Sequence, residues 1–129
     1  SQDLISLIKK LFVKNIFLLE NVELEFKSGL NVLTGETGAG KSILLDCLGY
    51  LLGKKNTKIE TGKQADTATL IGEFQSEKND VINEFLSKKG FSVDGDLILR
   101  QSIGATGKRR AFINDLPCSL ESWFESWAT

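Results

Sequence analysis

The sequence predicts an α/β fold in which a mixed sheet with antiparallel strands packs over one buried helix. Three observations carry that expectation. Short β-forming runs recur along the 129 residues. The stretch 41–52 is apolar on nearly every helical face, with Asp46 the main exception, and all-round apolarity means burial between layers. Between a strand-like run and that helix stands Gly35-Glu36-Thr37-Gly38-Ala39-Gly40-Lys41-Ser42. The octapeptide fits G-x-x-x-x-G-K-[ST], a loop whose glycines permit a tight path so that successive N–H groups turn toward an anion.

The chemistry of such a loop follows from its residue types. Lys41 reaches the β- and γ-phosphates of a nucleoside triphosphate, and the Ser42 hydroxyl takes one position on Mg²⁺. The helix that opens there adds the partial positive charge of its N-terminus. A random chain of this length meets the pattern in about one case in a few hundred. The order strand (29–34), loop, helix is the one a P-loop requires. Gly35, Glu36, Thr37, Gly38, Ala39, Gly40, Lys41 and Ser42 are therefore the expected nucleoside-triphosphate site, with Lys41 the catalytic cation and Ser42 the metal ligand.

Composition narrows the class. With 41% hydrophobic and 26% charged residues the chain is ordinary for a soluble globular domain. A net charge of −1 gives no global attraction to nucleic acid, so such contacts must come from a local patch. The basic runs are Lys54-Lys55, Lys88-Lys89 and Lys108-Arg109-Arg110. Cys47 and Cys118 stand far apart, and with no histidine a zinc site is not expected. The apolar segment 4–19 is interrupted by Lys9, Lys10 and Lys14 and lacks the marks of a signal peptide. No run approaches the ~18 apolar residues of a membrane span, and a cytoplasmic setting without membrane contact is expected. The absence of methionine points to a processed or engineered piece.

The elements are read in order. Residues 11–17 are rich in β-formers, and 21–26 alternate apolar with acidic or polar residues; these two strands precede the P-loop strand and should pair antiparallel. Gly53 stops the P-loop helix. Residues 56–67 read as loop and 68–74 as strand. Asn79 or Asp80 caps a helix that ends at Gly90, with Val81, Ile82, Phe85 and Leu86 on one face. Strands 96–103 and 108–113 form a hairpin around Gly104-Ala105-Thr106-Gly107. Asn114-Asp115-Leu116-Pro117 reads as a turn. Ser119 caps a last helix carrying Leu120, Trp123, Phe124 and Trp127 on one stripe.

Several stretches together resemble one family. Leu18-Leu19-Glu20-Asn21-Val22-Glu23-Leu24-Glu25-Phe26, the run Ser28-Gly29-Leu30-Asn31-Val32-Leu33-Thr34, the loop with its Glu36-Thr37, and Arg109-Arg110-Ala111-Phe112-Ile113-Asn114 are similar to RecN, the SMC-like bacterial DNA double-strand-break repair ATPases. The resemblance covers nearly the whole chain. It implies a P-loop NTPase of the ABC-type ATPase head, here the N-terminal lobe across 1–129, ending before the glutamine loop and coiled coil. It also implies that the C-terminal lobe of the same head and a second head in an ATP-dependent dimer are partners. DNA is a further implied partner, with Lys108, Arg109 and Arg110 as candidate contacts and a nucleoid-associated location. No signature motif and no apolar strand ending in Asp-Glu is present, so the piece alone is expected to bind ATP without hydrolysing it. Where such heads often carry a basic residue before Thr-Gly, this chain has Glu60 before Thr61-Gly62. Asn15 lies near where related heads approach the base or ribose, or else it simply bonds local backbone.

Other readings stay open at this point. A P-loop kinase or GTPase is disfavoured by the two leading strands and the lack of an N/T-K-x-D motif. A RecF-type or other SMC-like head, and a non-catalytic nucleotide-dependent interaction module, are the remaining alternatives.

Overall fold

The computed structural model describes residues 7–17, 19–26, 38–52, 59, 66–75, 80–90 and 95–119. In chain order the elements are β1 (Ile8–Ile16), β2 (Leu19–Glu25), α1 (Gly38–Leu51), β3 (Thr67–Phe74), α2 (Asp80–Lys88), β4 (Leu97–Gly104), β5 (Arg109–Ile113) and β6 (Leu116–Cys118). The strands form one six-stranded sheet in the order β2-β1-β3-β4-β5-β6. Every neighbouring pair in it is antiparallel. The expected P-loop strand at 29–34 and the expected helix after Ser119 lie outside the described residues, as do Lys54, Lys55 and the Glu60-Thr61-Gly62 stretch.

Period-two alternation decides which side of the sheet is wet. In β3 the burial runs exposed or half-buried at Thr67, Thr69, Ile71 and Glu73, and fully buried at Ala68, Leu70, Gly72 and Phe74. β4 repeats the pattern, with Leu97, Leu99, Gln101 and Ile103 inward. Leu11 pairs with both Leu24 and Gly72, and Val13 with both Val22 and Leu70, so one face collects the aliphatic side chains of four strands. A one-residue slip would turn all of them to solvent, so this pattern fixes register.

α1 packs on that inner face against β3 and β4. Leu44, Cys47, Leu48, Tyr50, Leu51 and Leu52 are buried there, while Asp46 is exposed, as the apolar pattern of 41–52 predicts. Close approach depends on Gly72. A Cβ at that position would stand 2.5 Å from Leu51 Cδ2 and 2.8 Å from the Phe74 ring. α2 adds Leu86 to the core and ends at Gly90, whose φ of 81° and N–H bond to the Ser87 carbonyl close the helix. Outside the core, the Lys9 ammonium donates to Asp96 Oδ2 at 2.6 Å and ties β1 to the approach of β4.

β1 and β2 begin at Ile8 and Leu19, ahead of the expected starts at 11 and 21, and two further boundaries differ from the sequence reading. α1 begins at Gly38 rather than near Lys41, so the last five motif residues already follow the helical path. The stretch 114–117 is not one turn. Asn114 (φ 49°) and Asp115 (φ 67°) alone make a tight turn of the mirror-image kind, whose twist matches the flanking strands. Leu116–Cys118 then returns as β6, with Pro117 tolerated because the strand is at the sheet edge. Asn114 anchors the turn: its Oδ1 accepts from the Ile98 N–H at 2.8 Å, and its own N–H donates to the Ile98 carbonyl at 2.9 Å.

Among the described residues no helix is long and apolar enough to cross a membrane.

Candidate functional site

The site begins at the N-terminus of α1. A helix leaves its first N–H groups without intrahelical acceptors, and here those groups belong to the Gly38-Ala39-Gly40-Lys41 run. No acidic residue occupies the first turn to compete for them. Fourteen residues at ~1.5 Å each make α1 about 21 Å long, so its N-terminal end and the Tyr50 end are well separated. Gly35, Glu36 and Thr37 lie outside the described residues, and of Gly38, Ala39, Gly40, Lys41 and Ser42 only the backbone is described.

At the other end of α1 sits a polar cluster that the sequence reading missed. Gln101 is fully buried. Its Nε2 donates to the Tyr50 carbonyl at 3.3 Å, and its Oε1 accepts from Arg109 Nη2 at 2.7 Å. The Arg109 guanidinium also stacks on the Tyr50 ring, 3.9 Å from its centroid. Burial pushes the Tyr50 hydroxyl above its ordinary range against the opposing pull of Arg109. Burial likewise lowers the Arg109 pKa, and Tyr50 counters that. A signal was available: Gln101 shares parity with Leu97, Leu99 and Ile103, and Arg109 with Ala111 and Ile113, so both point inward. Arg109→Ala strips a charge-assisted bond from a buried amide and a cation from a ring, with an expected loss of about 2 kcal/mol of stability in urea unfolding.

The cluster also divides the basic run. Arg109 faces α1, whereas Lys108 and Arg110 are exposed. Strand alternation therefore splits what reads as one tripeptide between the two faces of the sheet. Of the other candidates, Lys88 pairs with Glu84 at 3.0 Å along α2 and Lys89 is exposed. Asn15, at φ 57°, donates its Nδ2 to the Thr67 carbonyl at 3.3 Å, joining the end of β1 to the start of β3.

No group of three or more ligating side chains exists among the described residues. Burial, with a smaller contribution from Asp46, pushes the Cys47 thiol up to about 12. The thiolate is the reactive form, so Cys118 is expected to react with a maleimide at pH 7.5 while Cys47 reacts only after denaturant is added. The folded thiol holds its proton at pH values where the unfolded one, near 9.0, gives it up. This contribution to stability is complete below about pH 9 and is lost as pH rises toward 12.

A family model described as an AAA domain matches residues 10–115. The DNA repair protein RecN of Rickettsia bellii (strain RML369-C) is 38% identical over 108 residues, which are 81% of this chain. The chain belongs to the AAA domain family. It spans about a fifth of that relative, 19% of its length. Among solved structures, an SMC ATPase from work on ATP-driven dimerization and DNA-stimulated activation superposes with a TM-score of 0.66 at 19% identity, covering 95% of this chain and 78% of that one. The Smc head domain with a coiled coil and joint from Pyrococcus yayanosii gives 0.65 at 19% identity, covering 95% and 25%. The fold is therefore one shared with SMC head domains.

Proposed function

We propose that this chain is the N-terminal, ATP-binding lobe of a RecN-like DNA repair ATPase. The observation that carries the reading is the start of α1 inside the Gly38-to-Ser42 part of the motif, in a chain of RecN-like sequence and SMC-head fold. Gly35, Glu36, Thr37, Gly38, Ala39 and Gly40 supply backbone N–H groups to the phosphates, Lys41 supplies a cation, and the Ser42 hydroxyl holds Mg²⁺. The donor set fits: glycine-rich backbone, a helix N-terminus, and a first turn free of carboxylates. Bound Mg²⁺ would neutralise charge on the β- and γ-phosphate oxygens.

What the chain's own groups do is positional and electrostatic. Fixed amides and Lys41 hold the phosphates in one orientation and stabilise charge that develops as the terminal phosphoryl leaves. α1 is held rigid for this by the core beneath it and by the Tyr50–Gln101–Arg109 cluster at its far end. The lobe lacks Walker B and signature sequences. Hydrolysis therefore requires the C-terminal lobe of the same head, and a second head that closes over the nucleotide. ATP binding would drive that closure and hydrolysis would reverse it, coupling nucleotide state to DNA tethering through a two-state interface.

Titration with a fluorescent ATP analogue, with Mg²⁺ and with EDTA, tests the assignment of Ser42. Ser42→Ala should bind the analogue with little difference between the two conditions, whereas the parent protein should bind far more tightly with Mg²⁺. Equal Mg²⁺ dependence in both would remove Ser42 from the metal site.

A further inference from the structure

The side of the sheet turned away from α1 is charged unevenly. Strand register sets Asn21, Lys14, Thr69, Ser102 and Arg110 side by side across β2, β1, β3, β4 and β5. This row holds two exposed cations, half-buried hydroxyls between them, and no carboxylate. Lys108 extends it, and Thr67, Ser102, Gly104, Lys108 and Arg110 line one shallow depression. The row two residues away carries Glu23, Phe12, Ile71, Arg100 and Phe112, with the Arg100 guanidinium 3.9 Å over the Phe112 ring. The third row holds Glu25, Lys10 and Glu73, with Lys10 already 3.8 Å from Glu25. Acid thus gathers at one end of the face and cation at the hairpin end, where Asp66 beside Thr67 is the nearby exception.

No ion pair among the described residues engages Lys14, Lys108 or Arg110. Lys14 and Arg110 are three strand spacings apart, about 14 Å between backbones at ~4.8 Å per spacing. That spacing suits two separate, non-adjacent phosphates of an extended polyanion rather than one phosphate group. Lysine, arginine, serine and threonine are the side chains that contact nucleic-acid backbones without reading sequence.

We propose that the Lys14–Thr69–Ser102–Arg110 row, with Lys108, is a DNA phosphate-backbone contact surface on the face of the lobe opposite the nucleotide. This rests on the reading of the chain as part of a DNA repair ATPase. It replaces the contiguous Lys108-Arg109-Arg110 patch by a cross-strand one, because Arg109 is committed to Tyr50 and Gln101 on the inner face. Contact here is independent of sequence and strongly dependent on salt.

The test is fluorescence anisotropy of a labelled DNA duplex with the intact protein carrying this lobe, across a salt series. Lys14→Glu/Arg110→Glu is compared with the charge-matched Lys88→Glu/Lys89→Glu and the conservative Lys14→Arg/Arg110→Lys. The first should bind at least about tenfold more weakly, with a log–log salt slope shallower by about 1.8 for two lost phosphate contacts. Both controls should match the parent, and ATP-analogue binding should be unchanged in all. Unaltered affinity and slope in the charge-reversal variant would overturn the surface. So would displacement of duplex by millimolar inorganic phosphate, which would mark a single-anion site, or loss of head assembly with DNA binding intact, which would mark an acidic protein surface as the occupant. Lys41-dependent ATP binding in the same preparation separates the two readings: if it persists while the surface fails, only the surface is wrong. If the parent binds neither ATP nor DNA, both fall.

Discussion

Lys41→Ala in the intact protein is expected to slow ATP turnover by at least about 10²-fold, since removing one donor aimed at developing charge costs about 2.7–4 kcal/mol. The proposed phosphate site rests on backbone dipoles at the first turn of α1, and Lys41 is the one full positive charge in the motif. Its loss removes charge neutralisation and one of the groups that hold the phosphates in orientation. Binding should weaken as well, and a thermal melt reads that directly. ATP at 100 times its Kd stabilises a folded protein by about 2.7 kcal/mol, so the parent should melt several degrees higher with Mg²⁺-ATP while Lys41→Ala should not shift. The unliganded melts should coincide. Normal turnover by Lys41→Ala would remove the motif from the chemistry.

Gly72→Ala is expected to cost about 1–3 kcal/mol in urea unfolding, and Gly72→Val more, through overpacking of a fixed layer. The clash at 2.5 Å is with Leu51 Cδ2, the end of a side chain that could in principle move. It cannot move cheaply here, because Leu51 is fully buried and the Phe74 ring, also fully buried, blocks the second direction at 2.8 Å. Interiors at crystal-like density transmit such strain rather than absorb it. Leu51→Ala alone should cost about 2–5 kcal/mol as a cavity. Together the two should be markedly less than additive, since each relieves the defect made by the other. Strict additivity would show that α1 does not rest on β3 at this point.

The same contact shows how far sequence reading reached. The P-loop motif, the buried helix after it, the antiparallel pairing of the first two strands and the β4–β5 hairpin were legible, because each rests on local chemistry: glycine spacing, apolar periodicity, turn residues. Gly72 was not, because a glycine within a strand run does not announce which helix it admits. The sixth strand was hidden for a different reason. Its three residues include a proline, and Asn114-Asp115 is a weaker hairpin signal than Asn-Gly. Arg109 was misread as part of a DNA-facing run, although the inward parity of β5 was already in the sequence. Runs of charge mislead in strands, where adjacent residues serve opposite faces.

The central claim, that this chain is half of an ATPase head, is tested most directly by steady-state ATP turnover of the chain alone and mixed with a C-terminal lobe carrying signature and Walker B motifs. The account predicts no turnover alone and Lys41-dependent turnover on mixing. Sustained hydrolysis by the lone chain would contradict it, because the lobe would then contain a catalytic carboxylate of its own.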